Sequence, residues 1–134
     1  MKRFIAAMAI VLAAGATAQA GEQEEIARGR DEALTWLSIW DAGNVEASRE
    51  AASAYFKKDV SSDYERSVYD DLRRPLGALR QRSFKSSEFN TLPDGEYLNI
   101  VFDSDFANKS AATETVDLVR EADGRWKVSA WLIR

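Results

Sequence analysis

The chain has 134 residues, with 22 acidic against 18 basic side chains and neither cysteine nor histidine. Without those two residue types there is no disulfide, thiolate metal site, lipid-anchored cysteine, thiol nucleophile, imidazole ligand or histidine base. The acidic balance gives the wrong field for a phosphate backbone and argues against nucleic acid as a partner.

Residues 1–20 read as an export signal. Lys2 and Arg3 are basic, Phe4 to Ala14 form an apolar run, and Ala18-Gln19-Ala20 supplies small residues at a cleavage site after Ala20. The run is shorter than the roughly 20 residues of a membrane span, so no membrane association is expected after cleavage. The mature chain, 21–134, would keep 114 residues and carry a net charge of −6 instead of −4. That length fits one domain with a core of its own. The expected location is periplasmic or secreted.

Residues 22–42 have helical spacing, with Ile26, Ala33, Leu37 and Trp40 on one stripe, Trp36 beside them, and acidic residues in the first turn. Two tryptophans on that stripe predict core or cavity lining. Asn44 is suited to cap a second helix running to about Lys58, with Val45, Ser48, Ala52, Tyr55 and Phe56 on one side. Ser62 and Glu65 have capping-box spacing for a third helix. Its stripe of Tyr64, Val68, Leu72, Leu76 and Leu79 meets a breaker at Pro75.

Beyond Gly77 the apolar period becomes that of strands, near 79–89, 96–106, 112–121 and 125–133. Pro93-Asp94-Gly95 and Asp123-Gly124 mark hairpin turns. Alternation places Arg80, Arg82 and Phe84 together on the first strand, and Trp126, Val128, Ala130 and Leu132 inward on the last. Tyr97, Val101, Val119, Trp131 and Ile133 then face outward as a candidate homodimer surface. The predicted class is α+β, three N-terminal helices packed on a curved four-stranded antiparallel sheet.

The succession Arg73-x-Pro75-Leu76-Gly77-x-Leu79-x-x-Arg82, Leu92-Pro93-Asp94-Gly95-x-Tyr97, Phe106, Glu114-Thr115-Val116 and Asp123-Gly124-x-Trp126-x-Val128 resembles the bacterial family called domain of unknown function 4019. Tyr64 stands where that family usually has tryptophan, and Ala130-Trp131 where it has a glycine-tyrosine step. The resemblance implies an exported bacterial protein with a cystatin-like or nuclear-transport-factor-2-like cone and no assigned activity. Such a cone hosts enzymes and plain binding modules alike.

Four residues are pocket candidates: Arg82, Glu114, Tyr55 and Tyr64. Glu114 lies in line with Val116 and Leu118, so its carboxyl group must be paired, neutral, or at the rim of a cavity. Arg82 is the natural bidentate partner, either as a structural ion pair or as an anion-reading group. Arg73 and Arg74 complement the end of the third helix on a solvated surface. Asp103-x-Asp105 lacks the third ligand and glycine turn of a calcium loop, so no metal or cofactor is expected. The leading expectation is a non-catalytic accessory module of the cell envelope that binds a small molecule or another protein. The alternative is a cofactor-free pocket enzyme of isomerase, lyase or hydrolase type, with Glu114 as base and Tyr55 or Tyr64 as donor. Intact-mass measurement on protein recovered from the periplasm should find a chain beginning at Gly21; an uncleaved cytoplasmic chain would reject the export reading.

Overall fold

The computed structural model describes the backbone of residues 2–134 and the side chains of residues 19–134. Four helices precede four strands: α1 (Lys2–Asp41), α2 (Val45–Ala51), α3 (Ala54–Asp59), α4 (Ser62–Val68), β1 (Leu79–Leu92), β2 (Gly95–Phe106), β3 (Lys109–Arg120) and β4 (Trp126–Ile133). The strands form one antiparallel sheet in the order β1-β2-β3-β4. Of the export signal expected over residues 1–20, the side chains up to residue 18 lie outside the described ones; the backbone from Lys2 is continuous with α1. Among the described residues no helix is long and apolar enough to cross a membrane.

Helix α1 lies on the sheet through Ala33, Trp36, Leu37 and Trp40, which pack against Leu98, Ile100, Phe102, Val116, Leu118, Trp126 and Val128. Burying each large side chain of this set contributes about 1.5–3 kcal/mol. Trp126 ties the middle of the helix to β4, donating from Nε1 to Glu25 at 2.8 Å. Gly29 lets the helix approach β2 closely, since a Cβ there would overlap the Leu98 side chain.

The predicted second helix is two. Ala52 leaves helical geometry to bridge Val128 of β4, and Ser53 donates its backbone N–H to the Val128 carbonyl at 2.8 Å. Ser53 then caps α3, accepting from Phe56 N at 3.0 Å. A backbone contact with the sheet has overridden helix continuity, and Tyr55 emerges 66% exposed rather than on an inner stripe. At α4 the cap is Ser61, not Ser62, accepting from Tyr64 N at 3.1 Å. That shift takes Glu65 out of capping-box position and turns it inward.

After α4 a π-helical turn, Tyr69–Arg73, and a 3-10 turn, Arg74–Leu76, bring the chain to Gly77, whose φ of +75° favours glycine. The tight turn buries Arg73 at 3% exposure, so it is not the solvated helix-end cation expected from sequence. Arg74 does stay at the surface, paired with Asp70 at 2.9 Å.

Bulges change which face each side chain occupies. Leu79 pairs with Phe106 and Gln81 with Asp105, leaving Arg80 as the extra residue. Arg80 is therefore exposed, and Leu79 shares the inner face with Arg82 and Phe84. On β4, Leu118 pairs with Val128 but Asp117 with Ala130, so Ser129 is extra and the alternation inverts. Trp131 and Ile133 turn inward to pack on the core, while Leu132 becomes 58% exposed. The outward apolar face expected from sequence thus loses Trp131 and Ile133 and keeps the half-buried Tyr97, Val101 and Val119. Replacing Gly29 with valine should cost about 1–3 kcal/mol by overpacking against Leu98, read as a lower thermal midpoint. An unchanged midpoint would mean that α1 does not need its close seat on β2.

Candidate functional site

Two polar constellations lie between the helices and the sheet. The first is a closed ion network. Glu114 is fully buried and accepts from Arg82 Nε at 2.8 Å, Ser104 Oγ at 2.6 Å and Trp131 Nε1 at 2.8 Å. Arg82 also donates from Nη1 and Nη2 to the two Asp41 carboxylate oxygens at 2.9 and 3.2 Å. Asp41 in turn receives Arg73 Nε at 3.1 Å, while Arg73 Nη1 donates to the Gly77 carbonyl at 2.8 Å and its guanidinium lies over the Phe106 ring. Two cations face two carboxylates, so the cluster is neutral as a whole. Burial alone would lower the Arg82 pKa, but hydrogen bonds and charge from Asp41 and Glu114 raise it above its ordinary value and keep it cationic.

The expected Arg82–Glu114 pair is therefore formed, with Asp41 at the end of α1 as a further partner of Arg82. Glu114 borders none of the cavities described below, and Tyr55 and Tyr64 are 66% and 63% exposed. The Glu114–tyrosine acid–base dyad is not assembled: the carboxylate is spent on three donors behind the core.

The second constellation is a cavity of about 240 Å³ between α1, α3, α4, the π-helical turn and β4. Its walls are mostly apolar, with Trp36, Trp40 and Trp131 on one side, Phe56, Val60 and Val68 on the other, and Tyr64, Leu72 and Leu132 exposed at the rim. Trp36 and Trp40 stack at 5.2 Å between ring centroids, and Trp131 leans on Trp40 at 5.4 Å. Their three N–H groups fare differently. Trp36 Nε1 donates to the Ser48 carbonyl at 2.9 Å, Trp131 Nε1 to Glu114, and Trp40 Nε1, although buried, has no acceptor.

Glu65 is the one carboxylate lining this cavity, at 3% exposure. Its Oε1 lies 2.8 Å from Ser48 Oγ, and its Oε2 has no hydrogen-bond partner. Arg49 Nη1 stands 3.5 Å from Oε2, an ion-pair contact longer than a good hydrogen bond, because Arg49 donates to the Val60 and Lys57 carbonyls at 2.6 and 2.9 Å. Burial pushes the Glu65 carboxyl above its ordinary range, against the opposing pulls of Ser48, Arg49 and Arg66. Sequence reasoning assigned Glu65 to a cap; the missed signal was its place on the stripe of Val68 and Leu72, three and seven residues on.

Asp103 and Asp105 line an open, polar groove on the outer side of the sheet with Ser83, Ser110 and Thr113. Lys85 lies 3.7 Å from Asp103, and among the described residues no group of three or more metal-ligating side chains occurs.

Solved structures of the same architecture place the fold. A candidate ketosteroid isomerase from Shewanella frigidimarina is similar at 18% identity and a TM-score of 0.53, over 80% of this chain and 94% of that one. A protein from Catenulispora acidiphila in complex with S-DNPA is similar at 13% identity and a TM-score of 0.55, over 83% and 92% of the two chains. The protein Aln2 from a Streptomyces species is similar at 10% identity and a TM-score of 0.53, over 83% and 90%. The fold is thus the nuclear-transport-factor-2-like α+β cone. No curated protein matches the chain. Residues 32–131 match the family described as protein of unknown function, DUF4019, and the chain belongs to that family.

Replacing Arg82 with methionine leaves the buried Glu114 without its guanidinium and Asp41 with Arg73 alone, and should cost about 3–5 kcal/mol in urea denaturation. Adding Glu114→Gln to Arg82→Met should recover part of that loss. Wild-type stability in the Arg82→Met protein would remove the network's structural role.

Proposed function

We propose that this chain is a small-molecule-binding accessory module of the bacterial cell envelope, reached by export through the residue 1–20 signal, and not an enzyme. The observation that carries the reading is the apolar cavity beneath α1, in which two lining residues hold buried polar atoms without partners, Trp40 Nε1 and Glu65 Oε2. A mostly apolar concavity with a few convergent polar groups is the usual form of a small-molecule site. Its size supports the same reading: roughly 150 Å³ holds benzene in an engineered core, and this cavity is larger by enough for a substituted ring. Arg82 and Glu114 act behind the pocket, through the Trp131 indole they fix. Tyr64 belongs to the mouth, and Tyr55 has no part in it.

A second reading has one observation in its favour. Glu65 is a carboxyl of raised pKa in an apolar chamber, the environment that suits a general acid or base. A cofactor-free isomerase, lyase or hydrolase would use Glu65 in place of Glu114, with the Tyr64 hydroxyl at the rim as the second group. The neighbour from Shewanella frigidimarina carries the name of such an enzyme, at an identity that supports the fold alone.

Ala130 lines the cavity from β4, so Ala130→Phe should fill it. Wild-type protein titrated with ethylbenzene should bind one equivalent, with shifts confined to the Trp36, Trp40 and Trp131 indole resonances, and the variant should bind at least tenfold more weakly. Unchanged affinity in the variant, or no binding of single-ring probes by the wild type, would overturn the pocket.

A further inference from the structure

Strand β1 lies at the edge of the sheet, with β2 on one side and no strand on the other. Along Leu79–Leu92 the backbone groups that point away from β2 therefore have no ladder partner. Phe84 and Phe89 are five residues apart and would lie on opposite faces of a regular strand. The bulge at Lys85 brings them into phase: Phe84 pairs with Phe102 and Phe89 with Leu98, so both rings face inward. Phe84 nevertheless stays 41% exposed, with the Arg30 guanidinium over its ring at 5.0 Å. Leu34, one turn along α1 from Arg30, is also exposed. On the outer face of the same segment lie Lys85, 3.7 Å from Asp103, and Glu88, which pairs with Asn99.

This edge is complementary to itself. Counted by their β2 partners, Phe84 and Phe89 stand two positions to either side of Ser87, which pairs with Ile100. A two-fold axis at Ser87 sets a second β1 antiparallel to the first, with every opposed pair on the same face of the sheet. Phe84 then meets the partner's Phe89 on the inner face. On the outer face Ser86 meets the partner's Glu88, with Lys85 beside it. Gln81 meets the partner's Leu92, which brings the exposed Arg80 to the turn holding the partner's Asp94. Each of these contacts occurs twice. Charges and bulges on an edge strand ordinarily keep it from pairing. Here the charges oppose with unlike sign across the axis, and the bulge itself puts the two phenylalanines in register.

We infer that β1 is the interface with a second copy of this chain, joining two four-stranded sheets edge to edge about Ser87. The contact covers Phe84 on the flank where Leu34 is also bare. Its unlike charges supply local attraction in an acidic chain, whose net charge otherwise opposes self-association. Nothing in this contact depends on the cavity.

The mature chain should sediment as a dimer with a micromolar dissociation constant. Lys85→Glu and Glu88→Lys each set like charges against one another twice, and each should weaken the dimer at least tenfold. Mixed in equal amounts, the two variants should form a heterodimer within about threefold of wild-type affinity, because each supplies the charge the other lacks. The chain has no cysteine, so Ser87→Cys locates the axis. Opposed antiparallel positions have Cα atoms roughly 4.5–5.5 Å apart, within disulfide range, and that variant should cross-link on oxidation. Ser83→Cys, opposite the partner's Asn90, should not. Should Ser87→Cys fold poorly, the heterodimer test decides alone. A monomeric wild type, a dimer indifferent to both charge reversals, variants that fail to associate when mixed, or cross-linking at position 83 in preference to 87 would overturn the inference. Indifference to the charges would place the contact elsewhere, as on the outer face of Tyr97, Val101 and Val119.

Discussion

A carboxylate buried to zero exposure in the middle of a sheet is stable only if the chain builds donors around it, and the architecture follows from how that is done for Glu114. Its three donors come from β1, β2 and β4, so one side chain joins both edge strands to the centre of the sheet. Arg82 reaches it from β1 only because the Arg80 bulge sets Arg82 on the inner face beside Leu79. Trp131 reaches it from β4 only because the Ser129 bulge turns that face over. Asp41 extends the network to the end of α1, and Arg73 to the turn before β1. The order of helices and sheet is thereby fixed by electrostatics at one end of the cone and by apolar packing at the other.

The two polar constellations are physically opposite. Around Glu114 every principal group has a partner and the charges cancel, so nothing is left over to recognise a ligand. Across Trp131 lies the cavity, where the walls are aromatic and two polar atoms have no partner. Trp131 belongs to both: its N–H is held by Glu114 and its ring leans on Trp40. The ion network therefore acts on the pocket at one remove, by holding a wall in place. The buried Arg–Glu pair, conspicuous in the sequence, thus supports the wall of the cavity through Trp131.

What the sequence disclosed and what it withheld divide along a physical line. Strand limits, the hairpin turns and the Trp36/Trp40 stripe were legible because they depend on local period and turn chemistry. The Arg82–Glu114 pair was legible because a carboxylate in phase with Val116 and Leu118 demands a cation. The faces of Arg80, Trp131 and Ile133 were not, since one extra residue per bulge inverts every later side chain and leaves no local mark. The division at Ala52 was hidden for a related reason: its cause is the Val128 backbone, 76 positions away in sequence. Glu65 carried two signals at once, capping-box spacing from Ser62 and a place on the apolar stripe. Moving the cap by one residue to Ser61 decided between them.

A buried donor without an acceptor, the position of Trp40 Nε1, costs about 1–3 kcal/mol against its satisfied form. Phenylalanine at position 40 would avoid that cost while keeping an aromatic ring in the core; Glu65 differs, since it joins α4 to α2 through Ser48 at 2.8 Å and Arg49 at 3.5 Å. Of the three buried polar atoms without a partner among the described residues, Trp40 Nε1 and Glu65 Oε2 belong to residues lining the cavity, Asp105 Oδ1 lies on β2 away from it, and none belongs to the Glu114 network. Strain of this local kind is characteristic of sites that complete themselves with a ligand. The two polar clusters therefore differ physically: the Arg82 and Glu114 side is closed on itself, and the Trp40 and Glu65 side, which lines the proposed pocket, is not.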